Sequence, residues 1–219
     1  ALFEFYYQQN TQWGRAIAQQ DQAVKAYRQA GMPWLSSEVD LLANRRGKNA
    51  GPLLTQSMAD ARTLNDGKAL RSLDSSLDTF YASHNCAAIV KALRRLSKRL
   101  DAARRIGDCD YIDMRRDYDL GPWLCFPEFN HTRALTKLLA AASLAEAASG
   151  KNKQALQDID RALNLAQMGE NEPLIIGPLV SAQNYLTSYR ASETLGELLK
   201  VDRTALAGLS RTFEKHAPQ

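Results

Sequence analysis

The sequence predicts an all-α protein, an irregular α-solenoid or helical bundle of antiparallel hairpins that is tetratricopeptide-like in its second half. Three observations predict it. Apolar residues recur at helical spacing through most of the 219 residues. No alternating apolar and polar stretch of useful length offers a strand. Short breaks carrying Gly, Pro or Asn separate the periodic segments, and short connections between helices make antiparallel neighbours.

Composition fits this class and narrows the function. Hydrophobic residues make up 45% and charged residues 24%, so the chain is globular in composition and not disordered. At this length folding buries roughly 70% of the surface of the unfolded chain, and no disulfide framework is required. Twenty-eight Lys and Arg against 24 Asp and Glu leave a net charge of +4, which by itself does not point to nucleic acid. Three cysteines, Cys86, Cys109 and Cys125, leave at least one unpaired within the chain.

Taken in order, residues 1–31 read as one long helix, with Tyr6, Trp13, Ile17, Val24 and Tyr27 at helical spacing before Gly31 and Pro33. This segment is set apart from a helical domain spanning 32–219. Its apolar, aromatic start, "ALFEFYY", leaves two readings open: a continuation of a membrane anchor upstream of Ala1, or a packed helix. A connector with a short helical piece near Ser36 to Leu42 follows. The next helix is expected after Asn49, with Pro52 in its first turn, and ends near Asn65 to Gly67. Another runs from about Lys68 to Ser83 with Leu70, Leu73, Leu77 and Phe80 on one face.

A restart near Asn85 leads to the cleanest amphipathic stretch. Ile89, Leu93, Leu96, Leu100 and Ala103 form an apolar stripe, and Lys91, Arg94, Arg95, Lys98 and Arg105 lie opposite. That basic face is either a solvated helix surface or a contact for an anion or nucleic acid, although no aromatic or glycine platform for bases accompanies it.

From 107 to 128 the pattern lapses into an ordered connector that contains "DCDYIDMRRDYDLGPWLC", residues 108–125. Beyond it, Leu135, Leu138, Leu139, Ala142 and Ala145 mark a small-residue helix closed by Gly150. A second helix runs through Ala155, Leu156, Ile159, Ala162, Leu163 and Ala166. The alanines at the turn and crossing resemble a tetratricopeptide unit, because small side chains there let two helices approach closely. Pro173 is expected to start the following helix, with Gly177 and Pro178 breaking or bending its first turns before it runs through Tyr185, Leu186, Tyr189, Leu195 and Leu198. Asp202 is placed to cap a last helix, Thr204 to Lys215.

No catalytic set assembles from the sequence. Asp108, Asp110, Asp113 and Asp119 miss the spacing of a calcium loop, and His84 with Cys86 lacks the second pair that zinc needs, so no metal and no cofactor is expected. A Cys and His site from Asp117 or Asp119, His131 and Cys125 remains an option, with Cys125 as a buried apolar residue the alternative. A small-ligand or enzymatic pocket near Tyr111, Arg115, Asp117 and Trp123 is the second alternative. The binding candidates are Tyr111, Arg115, Arg116, Asp117 and Trp123. Cys109 and Cys125 bracket the island, and a disulfide between them is an option in an oxidising compartment.

A series of segments carries a resemblance. "YRQAGMPWLSSEVDLL" (27–42), "NAGPLLTQS" (49–57), "CDYIDMRRDYDLGP" (109–122), residues 131–167 and "EPLIIGPLVSAQ" (172–183) resemble, in order, a family of helical proteins numerous in planctomycete and related bacterial genomes. Arg115, Arg116 and Trp123 stand outside that pattern. The resemblance implies an N-terminal membrane anchor and an extracytoplasmic helical domain in the cell envelope, with the cytoplasm as the alternative, and it brings no activity with it. The expected function is therefore a non-enzymatic helical interaction or scaffold domain, with a protein or peptide as partner.

Overall fold

Asn49 begins the first helix through its side chain. Its Oδ1 accepts the Gly51 amide at 2.8 Å, satisfying a donor that has no intrahelical partner. The computed structural model describes residues 47–64, 67–83, 85–116, 126–170, 176–200 and 202–216. Among these the chain is all-α. The helices are α1 (Gly51–Leu64), α2 (Gly67–Ser83), α3 (Ala87–Arg95), α4 (Ser97–Gly107), α5 (Pro127–Ala148), α6 (Asn152–Glu170), α7 (Ile176–Leu199) and α8 (Arg203–Lys215). They pack as a bundle within one unit, Arg45–Arg115 with Cys125–Gln219. The segment 1–31 and the helical piece near Ser36 lie outside the described residues, as do His84, Asp117, Trp123 and Cys125.

α2 buries Leu73, Ser76, Leu77 and Phe80, the spacing expected of one helical face. The stretch read as one helix from Ala87 is two, joined at Leu96. There φ is −101° and the amide is shared between Ala92 O and Leu93 O, both at 3.1 Å. The Leu100 amide still reaches Leu96 O at 2.9 Å, so the helical phase passes through the joint. Ala92 is buried, and Leu93 of the expected stripe is half-buried and packs against the core.

α5 is the central helix, touching α1, α2, α3, α4, α6 and α7. Leu135, Leu138 and Leu139 are fully buried on it together with a run of alanines, Ala140 to Ala142. Its C-terminus closes by a Schellman turn: the Gly150 amide reaches Ala147 O at 2.9 Å and the Lys151 amide reaches Glu146 O at 2.8 Å. Gly150 sits at φ +74°, where a side chain would be strained although nothing crowds the space a Cβ would fill. The turn folds α6 back along α5, and Ala155, Ala162 and Ala166 are fully buried in that hairpin.

α7 contains Gly177 and Pro178 in its first turn without breaking. A proline near a helix start costs little, since the amide it removes lacks an intrahelical acceptor. Its buried face is small and polar: Gly177, Ser181, Asn184, Ser188, Ala191 and Ser192 precede Leu195 and Leu199. Small side chains allow a close approach to α6, where a Cβ on Gly169 would collide with Ser181 Oγ. α8 is capped by Asp202 as expected: Oδ1 accepts the Ala205 amide at 3.0 Å, and Oδ2 accepts Asn152 Nδ2 at 2.7 Å, tying the cap to the start of α6.

Candidate functional site

The aspartate-rich island is a clasp. The backbone of residues 48–50 runs beside 110–111: the Asp110 amide donates to Lys48 O at 2.9 Å and the Ala50 amide to Tyr111 O at 2.8 Å. Asn49 completes the join with its side chain. Its Oδ1 also accepts the Asp113 amide at 2.9 Å, and its Nδ2 donates to Asp113 O at 3.2 Å. The fit leaves no room at Gly51, where a Cβ would overlap Asp113 O.

Every described aspartate of the island has a partner. Asp108 accepts from Arg161 Nε at 2.7 Å and Nη2 at 3.1 Å. Asp110 Oδ2 accepts the Lys48 amide at 2.6 Å, and Asp113 Oδ1 accepts the Arg115 amide at 2.8 Å across a backbone turn in which Arg115 has φ +50°. Tyr111 and Arg116 are half-buried and Arg115 is exposed; the other two binding candidates, Asp117 and Trp123, lie outside the described residues. Cys109 is a free, buried thiol whose Sγ approaches Arg105 O at 3.4 Å, and burial pushes its pKa up. Its bridge partner in the sequence reading, Cys125, lies outside the described residues.

Beneath the clasp is a charge network that the sequence did not disclose. Asp158 of α6, 1% exposed, accepts from Arg104 Nε at 3.1 Å and Nη2 at 2.6 Å, and from Arg161 Nη1 at 2.9 Å. Arg104 Nη2 also donates to Glu146 at 2.7 Å. Burial, and then the Asp158 carboxylate, raise the Glu146 carboxyl above its usual range against the pull of Arg104. The network joins α4, α5 and α6, and Asn164 Nδ2 closes it over the end of α4 by donating to Gly107 O at 2.9 Å and Cys109 O at 2.7 Å.

A second buried cluster holds His131. Its Nε2 lies 2.9 Å from Ser57 Oγ and its Nδ1 lies 3.2 Å from Arg99 Nη2. A guanidinium only donates, so Nδ1 accepts and the ring proton sits on Nε2, pointing at the serine oxygen. That is the wrong direction for a base acting on Ser57. Burial and then the Arg99 charge lower the His131 pKa to about 4, so the ring is neutral near pH 7. Both ring nitrogens of His131 are therefore engaged, and the other members of the Cys and His option, Asp117, Asp119 and Cys125, lie outside the described residues.

The third histidine is structural as well. His216, at the end of α8, meets Asp160 at 2.9 Å and Gln167 at 2.9 Å, and Lys215 reaches the same Asp160 at 2.9 Å. Burial alone would raise Asp160, but hydrogen bonds from His216 and Lys215 outweigh it and hold the carboxyl below its usual range.

Two surfaces remain. Lys91, Arg94, Arg95, Lys98 and Arg105 are all exposed, and none of their side chains has a hydrogen bond or ion pair to a described residue. On α7 the exposed side mixes Gln183, Arg190, Glu193 and Glu197 with apolar residues: Ile176 is 37% exposed, Leu179 61%, Leu186 70% and Tyr189 37%, the large exposed hydrophobic residues among those described. Tyr189 stacks between Tyr185 and Phe213 of α8, with ring centroids 5.8 and 5.6 Å away. Among the described residues, no helix is long and apolar enough to cross a membrane.

No family model matches the chain, and neither a curated protein nor a solved structure matches it significantly.

Proposed function

We propose that this protein is a non-enzymatic helical interaction or scaffold domain. The observation that carries the reading is the first half of α7, whose packed face is Gly177, Ser181, Asn184 and Ser188 while Leu179 and Leu186 are exposed. Large apolar side chains left exposed opposite a packed polar face are surface open to a partner. The mutual packing of α5, α6 and α7, with Gly150 at the turn and alanines at the crossing, supports the tetratricopeptide-like reading of the second half. The non-enzymatic reading draws on the contacts that hold His131, His216 and the described island aspartates, Asp108, Asp110 and Asp113.

The extracytoplasmic, membrane-tethered placement rests on the resemblance, which covers roughly residues 25 to 200, and on the aromatic start of the chain. Comparing complexes formed in cells by the wild type and by Leu179→Glu/Leu186→Glu tests the function. The expected result is loss of the wild type's partners with an unchanged melting curve, because both side chains are exposed. An identical set of partners for the variant would sink the reading.

A further inference from the structure

The five cations of α3 and α4 form a rigid ridge, and its spacing specifies a partner. At 3.6 residues per turn, Lys91, Arg94, Arg95, Lys98 and Arg105 fall within an arc of about 100° and span about 21 Å. The buried residues Ile89, Ala92, Leu96, Leu100, Ala103 and Ile106 occupy the other side of the same helices, so the face stays aligned through the joint at Leu96. Several described cations elsewhere in the bundle are paired: Arg104 and Arg161 with Asp158, Lys137 with Asp74, Lys215 with Asp160. On the ridge none is, and the exposed acid beside it, Asp101, stands at its edge.

We infer that this ridge docks an acidic helix of a partner protein. Between Lys91 and Lys98 the cations recur once per turn, at about 5.4 Å, which is the pitch at which carboxylates recur on one face of another helix. Three of the five are arginines, whose planar forks pair with carboxylates through two parallel bonds. The ridge carries no aromatic side chain on which single-stranded bases would stack. No large exposed apolar side chain stands beside it to enter a lipid surface, since those of the described residues lie on α7. The inference rests on the interaction-domain reading for the partner being a protein, and uses a different surface from the α7 stripe.

The test is fluorescence anisotropy with a synthetic helical peptide bearing Glu at positions i, i+3, i+7 and i+14. A peptide of equal charge broken by proline, a DNA duplex and vesicles containing phosphatidylglycerol serve as the comparison ligands. The full chain is expected to bind the helical peptide at least about tenfold more tightly at 20 mM than at 200 mM salt, as exposed charges are screened. Arg94→Glu/Arg95→Glu/Lys98→Glu is expected to lose at least about tenfold in affinity with an unchanged melting curve. Lys91→Gln/Arg105→Gln, milder and at the ends of the ridge, is expected to lose about threefold. Leu179→Glu/Leu186→Glu is expected to bind the peptide like the wild type, so failure of the α7 reading leaves this result in place. No binding, equal binding of the proline-broken peptide, or tighter binding of the duplex or the vesicles overturns the inference.

Discussion

Two neighbouring segments are rich in charge and differ in what the charges do. From 91 to 105 the cations on the outer face of α3 and α4 have no described partner, whereas from 108 to 113 each aspartate is matched to an arginine side chain or a backbone amide. Density of polar residues is similar in the two. Pairing separates them, and pairing depends on what the fold brings alongside: α6 and the 47–51 segment reach the island, while nothing described covers the ridge. The more conspicuous stretch of sequence is a structural clasp, and the plainer amphipathic helix keeps free valences.

The sharpest way to break this contrast is to unpair the charges under the clasp. Asp158→Ala leaves Arg104 and Arg161 facing each other with their shared carboxylate gone, and is expected to destabilise by about 3 kcal/mol in urea unfolding, as for other partners removed from buried pairs. A loss within experimental error would show the network to be dispensable.

Acid should act next, through His131. Its folded pKa lies below that of an unfolded histidine, so the unfolded chain binds more protons in the window between them. This contribution to stability is intact above about pH 6.5 and is lost as pH falls toward 4, amounting to about 2 kcal/mol after allowing for solvent screening. Glu146, raised, works in the opposite direction over the acid range, and Asp160, lowered, adds its loss as pH falls through its folded pKa. Subtracting the stability curve of His131→Gln from that of the wild type isolates the histidine; a flat difference between pH 7 and 4 would refute the buried, neutral ring.

Asn49→Ala removes three hydrogen bonds of the clasp, two accepted and one donated, and is expected to cost about 2 kcal/mol at partly buried positions. Gly150→Ala, away from both charge clusters, is expected to cost about 1 kcal/mol through its left-handed backbone alone. Reversal of Arg94, Arg95 and Lys98 together should be the mildest, within about 0.5 kcal/mol in all, because exposed cations without partners hold nothing in place.

Much of the architecture was legible because it depends on local chemistry. The leucine and phenylalanine spacing of α2, the Gly150 turn and the Asp202 cap each follow from residues within a few positions of one another. Where the fold departs from local rules the reading failed. Leu96 keeps the apolar period, so nothing in the sequence marks the joint between α3 and α4. The first half of α7 packs through glycine and serine and only its end through leucine, so Leu195 is buried as the period requires while Leu186 is 70% exposed. The polar contacts were illegible for another reason: Asn49 with Asp113, Arg104 with Asp158, and Ser57 with His131 are separated by 64, 54 and 74 residues. Their meeting requires the tertiary fold, and no spacing rule announces it.

The most direct measurement of the contrast between the two charged segments is the exchange of arginine Nε protons by NMR, which observes each guanidinium in one spectrum. Arg104 and Arg161 donate from Nε to Asp158 and Asp108, and their protons should exchange slowly with solvent. Those of Arg94, Arg95 and Arg105 should exchange at the rate of a free side chain. Equal rates for the two groups, or protection on the ridge of the isolated chain, would contradict the account.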